Sequence, residues 1–322
     1  MRFFHETHID FMGKRKMWYI ISAATVVIGM ATLAIRGMDY GIDFIGGTEL
    51  IVQFDKAPEI GDIRAMMDRT GFAKSEIKNF GEANKILLRT EEQGEGTVIG
   101  DRIKKALQDS FGDNKPQVIQ EQKIGPKVGK ELRWNALLAV VFSIIAMLIY
   151  IGFRFKFIYG VGAVFATVHD VFTTLGMLAI LNRLSPWTNF EIDQNMIAAF
   201  LTLVGMSVND TVVIFDRMRE NQKIHRSMEL SELMNKSINQ TLSRTIITSG
   251  LIFLVTAVLF IFGGEVNRGF AFTMSFGIIT GTYSSIYIAS AVVLDYTNYK
   301  LRKKNKPAPA EKISYETIGQ GS

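Results

Sequence analysis

The run MIAAFLTLVGMSVNDTVVIFDRMREN, from Met196 to Asn221, decides how this chain folds. It opens with nine uncharged residues, Met196 to Val204, and closes in the charge cluster Asp216 to Asn221. Between them Asn209 and Asp210 stand side by side. A hydrocarbon layer of ~30 Å takes about 20 apolar residues of helix to cross. Residues 196–215 therefore read as a membrane span with a carboxylate inside it.

Five further windows have the same character: residues 17–35, 134–151, 157–181, 245–262 and 270–294. None of the six contains proline. One water-soluble domain has no use for six uncharged runs of this length, so the chain reads as a polytopic α-helical membrane protein with six transmembrane helices. The first window is too long for the apolar core of a signal peptide and reads as a retained anchor. Trp18, Trp134 and Trp187 all fall at span ends or in a short connection, as an aromatic belt places them.

Lysine and arginine set the expected orientation. One side collects Arg2, Lys14, Arg15, Lys16, Arg154, Lys156, the cations of residues 216–244 and those of the basic tail, 295–322. The other side, outside its one large loop, has Arg36, Arg183 and Arg268. The basic side is expected to be cytoplasmic, with both termini inside (residues 1–16 and 295–322). The net charge of +5 is then a topology signal, and nothing in the sequence suggests nucleic-acid binding. The tail reads as a solvated end lying near anionic lipid. With no cysteine there is no disulfide framework and no thiolate metal site.

Residues 38–133 form the one sizeable soluble piece, with 15 Lys/Arg against 17 Asp/Glu. The pattern predicts strand 48–54, helix 60–70, strand 76–80, strand 86–90, helix 98–111 and strand 117–122. That βαββαβ order is an α+β ferredoxin-like arrangement, expected here as an extracytoplasmic domain. Residues 216–244 read as a cytoplasmic loop with a short helix in it. A six-span unit with one large loop after its first span has the layout of half a duplicated transporter.

Three ionisable side chains lie within the spans: His169 and Asp170 in the third, Asp210 in the fourth. A mid-membrane charge costs roughly 2.5–3.5 kcal/mol on insertion scales, so such groups usually face a bundle interior or a water path. Asp210 with Asn209 is thus the leading proton-relay candidate, against the plainer reading of a hydrogen-bonded carboxyl that packs helices. His169 and Asp170 suit a relay or a packing role equally, and Gly162, Ala166, Asp170 and Thr174 make a small, polar stripe. Arg244, at the mouth of the fifth span, is within reach of Asp210 as a switchable pair, or is an ordinary snorkelling cation. Gly277, Gly281 and Ser285 form a close-packing face on the last span. In DFIGGTEL, Asp43, Gly46 and Gly47 read as a sharp turn into the first strand. The side chains give no metal site, no cofactor and no catalytic centre, so the chain reads as a non-enzyme.

Four segments carry a resemblance: DFIGGTEL (43–50), FATVHDVF (165–172), VGMSVNDTVVIFDRMREN (204–221) and NQTLSRTIITS (239–249). With them the chain resembles the SecF branch of the SecD/SecF family of bacterial preprotein translocase subunits, in the resistance-nodulation-division superfamily. The resemblance implies a heterodimer with SecD in the bacterial inner membrane, working with the SecYEG channel and YajC on unfolded preproteins. It implies the proton as coupling ion, with Asp210 and Arg244 as the family's intramembrane carboxylate and arginine and His169–Asp170 as its His-Asp pair. Ile45, where threonine is common, is the one departure noted.

Other classes fit parts of the chain. A proton-driven exporter half for lipids or small molecules shares the layout. An intramembrane aspartyl protease needs two carboxylates on separate spans, which Asp170 and Asp210 supply, but its Gly-x-Gly-Asp signature is missing, since residues 207–210 read Ser-Val-Asn-Asp. A scaffold without proton chemistry would need neither carboxylate ionisable.

Overall fold

The computed structural model describes residues 7–92, 94, 97–184 and 190–304. Arg2, Trp187 and the tail beyond Lys304 lie outside the described residues, as does the Arg183 side chain. In chain order come α1 (Arg15–Arg36), a single turn α2 (Ile42–Ile45), β1 (Gly47–Gln53), α3 (Ile60–Arg69), β2 (Glu76–Phe80), β3 (Glu82–Thr90), α4 (Val98–Phe111) and β4 (Gln117–Ile124). Then follow α5 (Pro126–Arg154), α6 (Phe157–Leu184), α7 (Gln194–Ile224), α8 (Leu230–Phe262), α9 (Gly264–Ser284), a π turn (Ser285–Ala289) and α10 (Ser290–Lys304).

α1, α5, α6, α7, α8 and the continuous run α9–π–α10 are the six helices long and apolar enough to span a membrane. This is a multi-pass membrane protein. α6, α7 and α9–π–α10 form the buried centre, while α1, α5 and α8 surround it. The surrounding helices expose Ile20, Val27, Ile28, Leu137, Phe142, Leu251, Leu254 and Val258, an outward apolar coat suited to lipid.

The soluble piece follows the predicted order, β1-α3-β2-β3-α4-β4. Its sheet runs β2-β3-β1-β4 with every neighbouring pair antiparallel, which is the ferredoxin-like connectivity. The spacing of Ile63, Met66 and Met67 in α3, and of Ile99, Ile103, Ala106 and Leu107 in α4, puts each set on one helix face. Both faces bury against Leu50, Val52, Phe54, Ile86 and Leu88 of the central strands. β1 is buried from end to end save its last residue, so its alternate residues Glu49 and Ile51 are covered too, on the face away from the helices.

Helix ends differ from the hydropathy boundaries in an instructive way. Residues 216–244 are not a loop with a short helix in it. α7 continues to Ile224 and α8 begins at Leu230, leaving a five-residue turn. Charge marks where a helix leaves hydrocarbon, not where it stops, and here a polar seam keeps both helices wound. Asn221 Nδ2 donates to Ser237 Oγ (2.9 Å) and to Gln240 Oε1 (2.9 Å). Likewise α5 starts at Pro126, a residue suited to a first helical turn, so the last residues of the 38–133 region already belong to the second span. β3 starts at Glu82 and β4 runs to Ile124, each longer than alternation alone predicts.

Candidate functional site

Asp210 sits near the middle of α7 and is 7% exposed. α8 and α9 bring one hydroxyl each to it. Ser249 Oγ donates to Asp210 Oδ2 at 2.9 Å, and Thr282 Oγ1 lies at 3.4 Å. A cavity of about 10 Å³, bordered by Ser207, Asp210, Ser249, Gly277 and Thr282, adjoins the carboxylate. That is at the lower limit of room for one water. Gly277 and Gly281 let α9 approach α7 at this level. A Cβ on Gly277 would lie 2.6 Å from Leu203 Cδ1, and one on Gly281 would lie 3.3 Å from Ser207 Cβ.

Asn209 is exposed on the flank of α7, in line with Thr202 and Gly205. Such a small, polar strip on a membrane helix has the composition of a helix–helix contact. Arg244 is exposed on α8, and no ion pair joins it to Asp210 among the described residues. Ser249, five positions further along α8, holds the carboxylate instead.

Asp170 is a second site, on α6, and is fully buried. Ser207 Oγ donates to its Oδ2 at 2.5 Å from α7, and Ser284 Oγ at 2.7 Å from α9. His169 Nδ1 lies 3.1 Å from the other oxygen, with Thr173 Oγ1 3.4 Å from His169 Nε2. Gly162, Ala166, Asp170 and Thr174 all face inward. Immediately after Ser284 comes the π turn that contains Ser285, whose Oγ donates to Thr282 O. The extra residue in that turn re-aims the last span. Gly277 and Gly281 face α7, whereas Ala289 lies against Gly162 of α6. Single π turns often accompany functional sites. The two carboxylates therefore share α7 and α9. Ser207 and Asp210 are one turn apart, and Thr282 and Ser284 are two residues apart. The hydroxyls Ser207, Ser249, Thr282 and Ser284 were not singled out by sequence. Ser249 ends the quoted segment 239–249, but a lone serine there announces nothing.

At the sheet end the motif residues have a different task. Gly46 (φ 79°) and Gly47 (φ 127°) are in the left-handed region, and a Cβ on Gly47 would fall 2.3 Å from Thr90 O, so neither place accepts a side chain easily. Asp43 bridges two elements. Its Oδ1 accepts from Gln122 Nε2 of β4 (3.1 Å), and its Oδ2 accepts from the Gln194 backbone N–H that opens α7 (3.0 Å). Beside it, Arg89 of β3 donates to Glu49 (2.6 Å), Glu76 (2.9 Å) and Glu191 (2.5 Å), and Lys78 also meets Glu191 at 2.5 Å. Burial works to raise the Glu191 carboxyl, but Arg89 and Lys78 outweigh it and hold it below the usual range. Burial dominates at Glu49 and raises it despite Arg89. Asp193, which caps α7 by accepting from Met196 N–H (2.7 Å), is raised to about 6 by burial, with Asp43 and Glu191 adding to the rise. Asp43, Glu49, Lys78, Arg89, Glu191 and Asp193 line a cleft of about 1020 Å³ between the sheet's open face and the ends of α6, α7 and α9. No three His, Asp or Glu donors converge as a metal site among the described residues.

Comparison with known proteins places this geometry. Residues 102–299 match the family model for the C-terminal part of the protein export membrane proteins SecD/SecF, and residues 32–58 match the SecD/SecF GG motif. The protein translocase subunit SecF of Rhodothermus marinus is 41% identical over 295 residues, 92% of this chain and 95% of its own length. That of Vibrio alginolyticus is 39% identical over 291 residues, 90% of each chain. The crystal structure of SecDF from Thermus thermophilus, described as a translocon-associated membrane protein, superposes with a TM-score of 0.80 at 34% identity over 91% of this chain. A SecDF structure in a super-membrane-facing form gives 0.69 at 33% identity over 94%. The chain spans 39% and 40% of those two polypeptides.

Proposed function

The chain belongs to the SecD/SecF family of protein export membrane proteins, and from that premise we propose that it couples the proton-motive force to the passage of preproteins through SecYEG, as the SecF partner of a SecD half in the inner membrane. The basic ends and turns face the cytoplasm, and the sheet domain stands outside. The observation that carries this reading is Asp210, a mid-span carboxylate held by two hydroxyls beside a small cavity.

Gaining a proton removes the charge of Asp210 and turns an acceptor-only group into a donor, which changes what Ser249 and Thr282 can offer it. Losing the proton restores a charge for which Arg244 is the cation on the neighbouring helix. Each state thus prefers its own arrangement of α7, α8 and α9, and a proton entering from outside selects between them. A charge falling through 100 mV releases about 2.3 kcal/mol, enough to bias such an equilibrium about 50-fold. His169 and Asp170 complete the polar core that these helices share. Asn209 and its exposed strip supply the face toward SecD. SecDF chains carry more than twice this length, which leaves room for a second half. The lower superposition on the super-membrane-facing form, 0.69 against 0.80 at similar identity and coverage, fits a family whose parts rearrange.

Export of a reporter protein from cells carrying Asp210→Asn tests this, with both subunits followed by blotting. Asparagine keeps size and hydrogen bonding but does not titrate. A collapse of export at normal subunit levels is expected, and unchanged export refutes the proton reading.

A further inference from the structure

The segment Glu191-Ile192-Asp193 ties α7 to the sheet domain through contacts between stretches far apart in the chain. On one side it runs straight into α7, the helix of Asp210. Asp193 caps that helix, and Phe190 is clamped to α6 by Asn182, whose side chain donates to Phe190 O and accepts from Phe190 N–H (2.5 and 2.7 Å). On the other side the segment is pinned to the stretch that leads into the sheet. Gly41 N–H donates to Ile192 O, and Ile192 N–H donates to Asp39 O, both at 2.9 Å, making a parallel bridge between Tyr40 and Ile192. Two side-chain ties reinforce the bridge. Asp43 spans from Gln122 of β4 to the first N–H of α7, and Glu191 reaches Arg89 of β3 and Lys78 of β2. Arg89 is itself fixed by Glu49 of β1, so the tie grips the three strands β1, β2 and β3, and Asp43 grips the fourth.

We propose that this segment and Asp43 form a rigid joint that hands displacement of α7 to the sheet domain, so that the DFIGG turn serves coupling as well as chain reversal. The inference rests on Asp210 being the driven element. It assigns Asp43, Glu191 and Arg89 as positioning residues, which do not touch Asp210. Paired β backbone and largely buried ion pairs transmit a push because they have one tight arrangement.

The test uses the full chain with its partner half in cells. Asp43→Ala combined with Glu191→Ala removes both side-chain ties. Because the sequence has no cysteine, Tyr40→Cys with Ile192→Cys places one cysteine pair across the bridge, where oxidation can close it as a disulfide. The double alanine variant is expected to accumulate normally and to export a reporter roughly tenfold more slowly, within the range allosteric couplings span. Oxidising the cysteine pair in that background is expected to restore export to near the parent rate, and reduction to abolish the rescue. Parent-like export by the alanine variant, or no rescue on oxidation, overturns the joint. Where the alanine variant fails to accumulate, Glu191→Gln, which drops the charge and keeps the size, is read by the same rescue. Asp210→Asn run alongside separates the two ideas. The bond is expected not to rescue it, and normal export by Asp210→Asn strikes the proton reading while the joint is still judged on its own rescue.

Discussion

Asp170 and Asp210 are both buried carboxylates on central helices, yet their surroundings differ in kind. Asp170 has no exposed surface and receives three neighbours, two serines at 2.5 and 2.7 Å and a histidine at 3.1 Å. Asp210 is 7% exposed, has one good hydroxyl partner and one long one, and borders a cavity. A saturated group on three helices is a fixed post, because any change in its protonation breaks several bonds at once. A loosely held one changes state at smaller cost. The sequence places both residues in the same class of relay candidates, and their environments separate them.

Breaking that contrast begins with the largest effect. Asp210→Asn removes the proton step and is expected to slow reporter export by up to about 50-fold, the bias one charge supplies at 100 mV, without loss of protein. Asp170→Asn is expected to act on stability instead. Its amide turns a donor toward Ser207 and Ser284 or toward His169, leaving a buried mismatch of about 1–3 kcal/mol, which should show as a lower melting temperature of the detergent-purified protein. Equal stability of the parent and Asp170→Asn proteins would erase the distinction. Ser249→Ala is expected to cost about 1 kcal/mol at most and to alter the pH at which export is half-maximal, since it removes the better of the two partners of Asp210.

The smallest effect lies at the sheet end. Asp193 is raised from 3.8 to about 6, so the folded state holds its proton more tightly than the unfolded chain does. Its contribution to stability is present below pH 3.8 and is lost as pH rises through about 6. Allowing for partial exposure, this amounts to about 1 kcal/mol. Amide exchange at Met196, measured from pH 5 to 7.5, should quicken at high pH beyond its chemical rate. Asp193→Asn, which still caps the helix, should flatten that dependence.

Much of the architecture is legible in the residues because hydrocarbon imposes a length and strands impose alternation. The six spans follow from uncharged runs, and the βαββαβ order follows from segments such as Ile60–Arg69 and Val98–Phe111. The extensions of α7 and α8 past the membrane boundary are not legible, since charged residues suit a helix in water as well as a loop. The polar seam of Asn221, Ser237 and Gln240 that holds them depends on pairing between helices. Asp210 and Asp170 are legible because charge is rare in a span. Their hydroxyl partners come from helices 37 to 114 residues away, and serine is common in spans for packing alone. The tie from Arg89 to Glu191 crosses 102 residues and joins the sheet to a connection between spans. Its one local signal is Glu49, a carboxylate within the strand Gly47–Gln53.

Infrared difference spectroscopy on the membrane-embedded complex with its SecD half, recorded as the medium is acidified, tests the central claim most directly. A carboxyl band that appears in the parent is expected to vanish in Asp210→Asn and to persist in Asp170→Asn. A band that survives Asp210→Asn, or that is lost with Asp170→Asn instead, would contradict Asp210 as the group that takes up the proton.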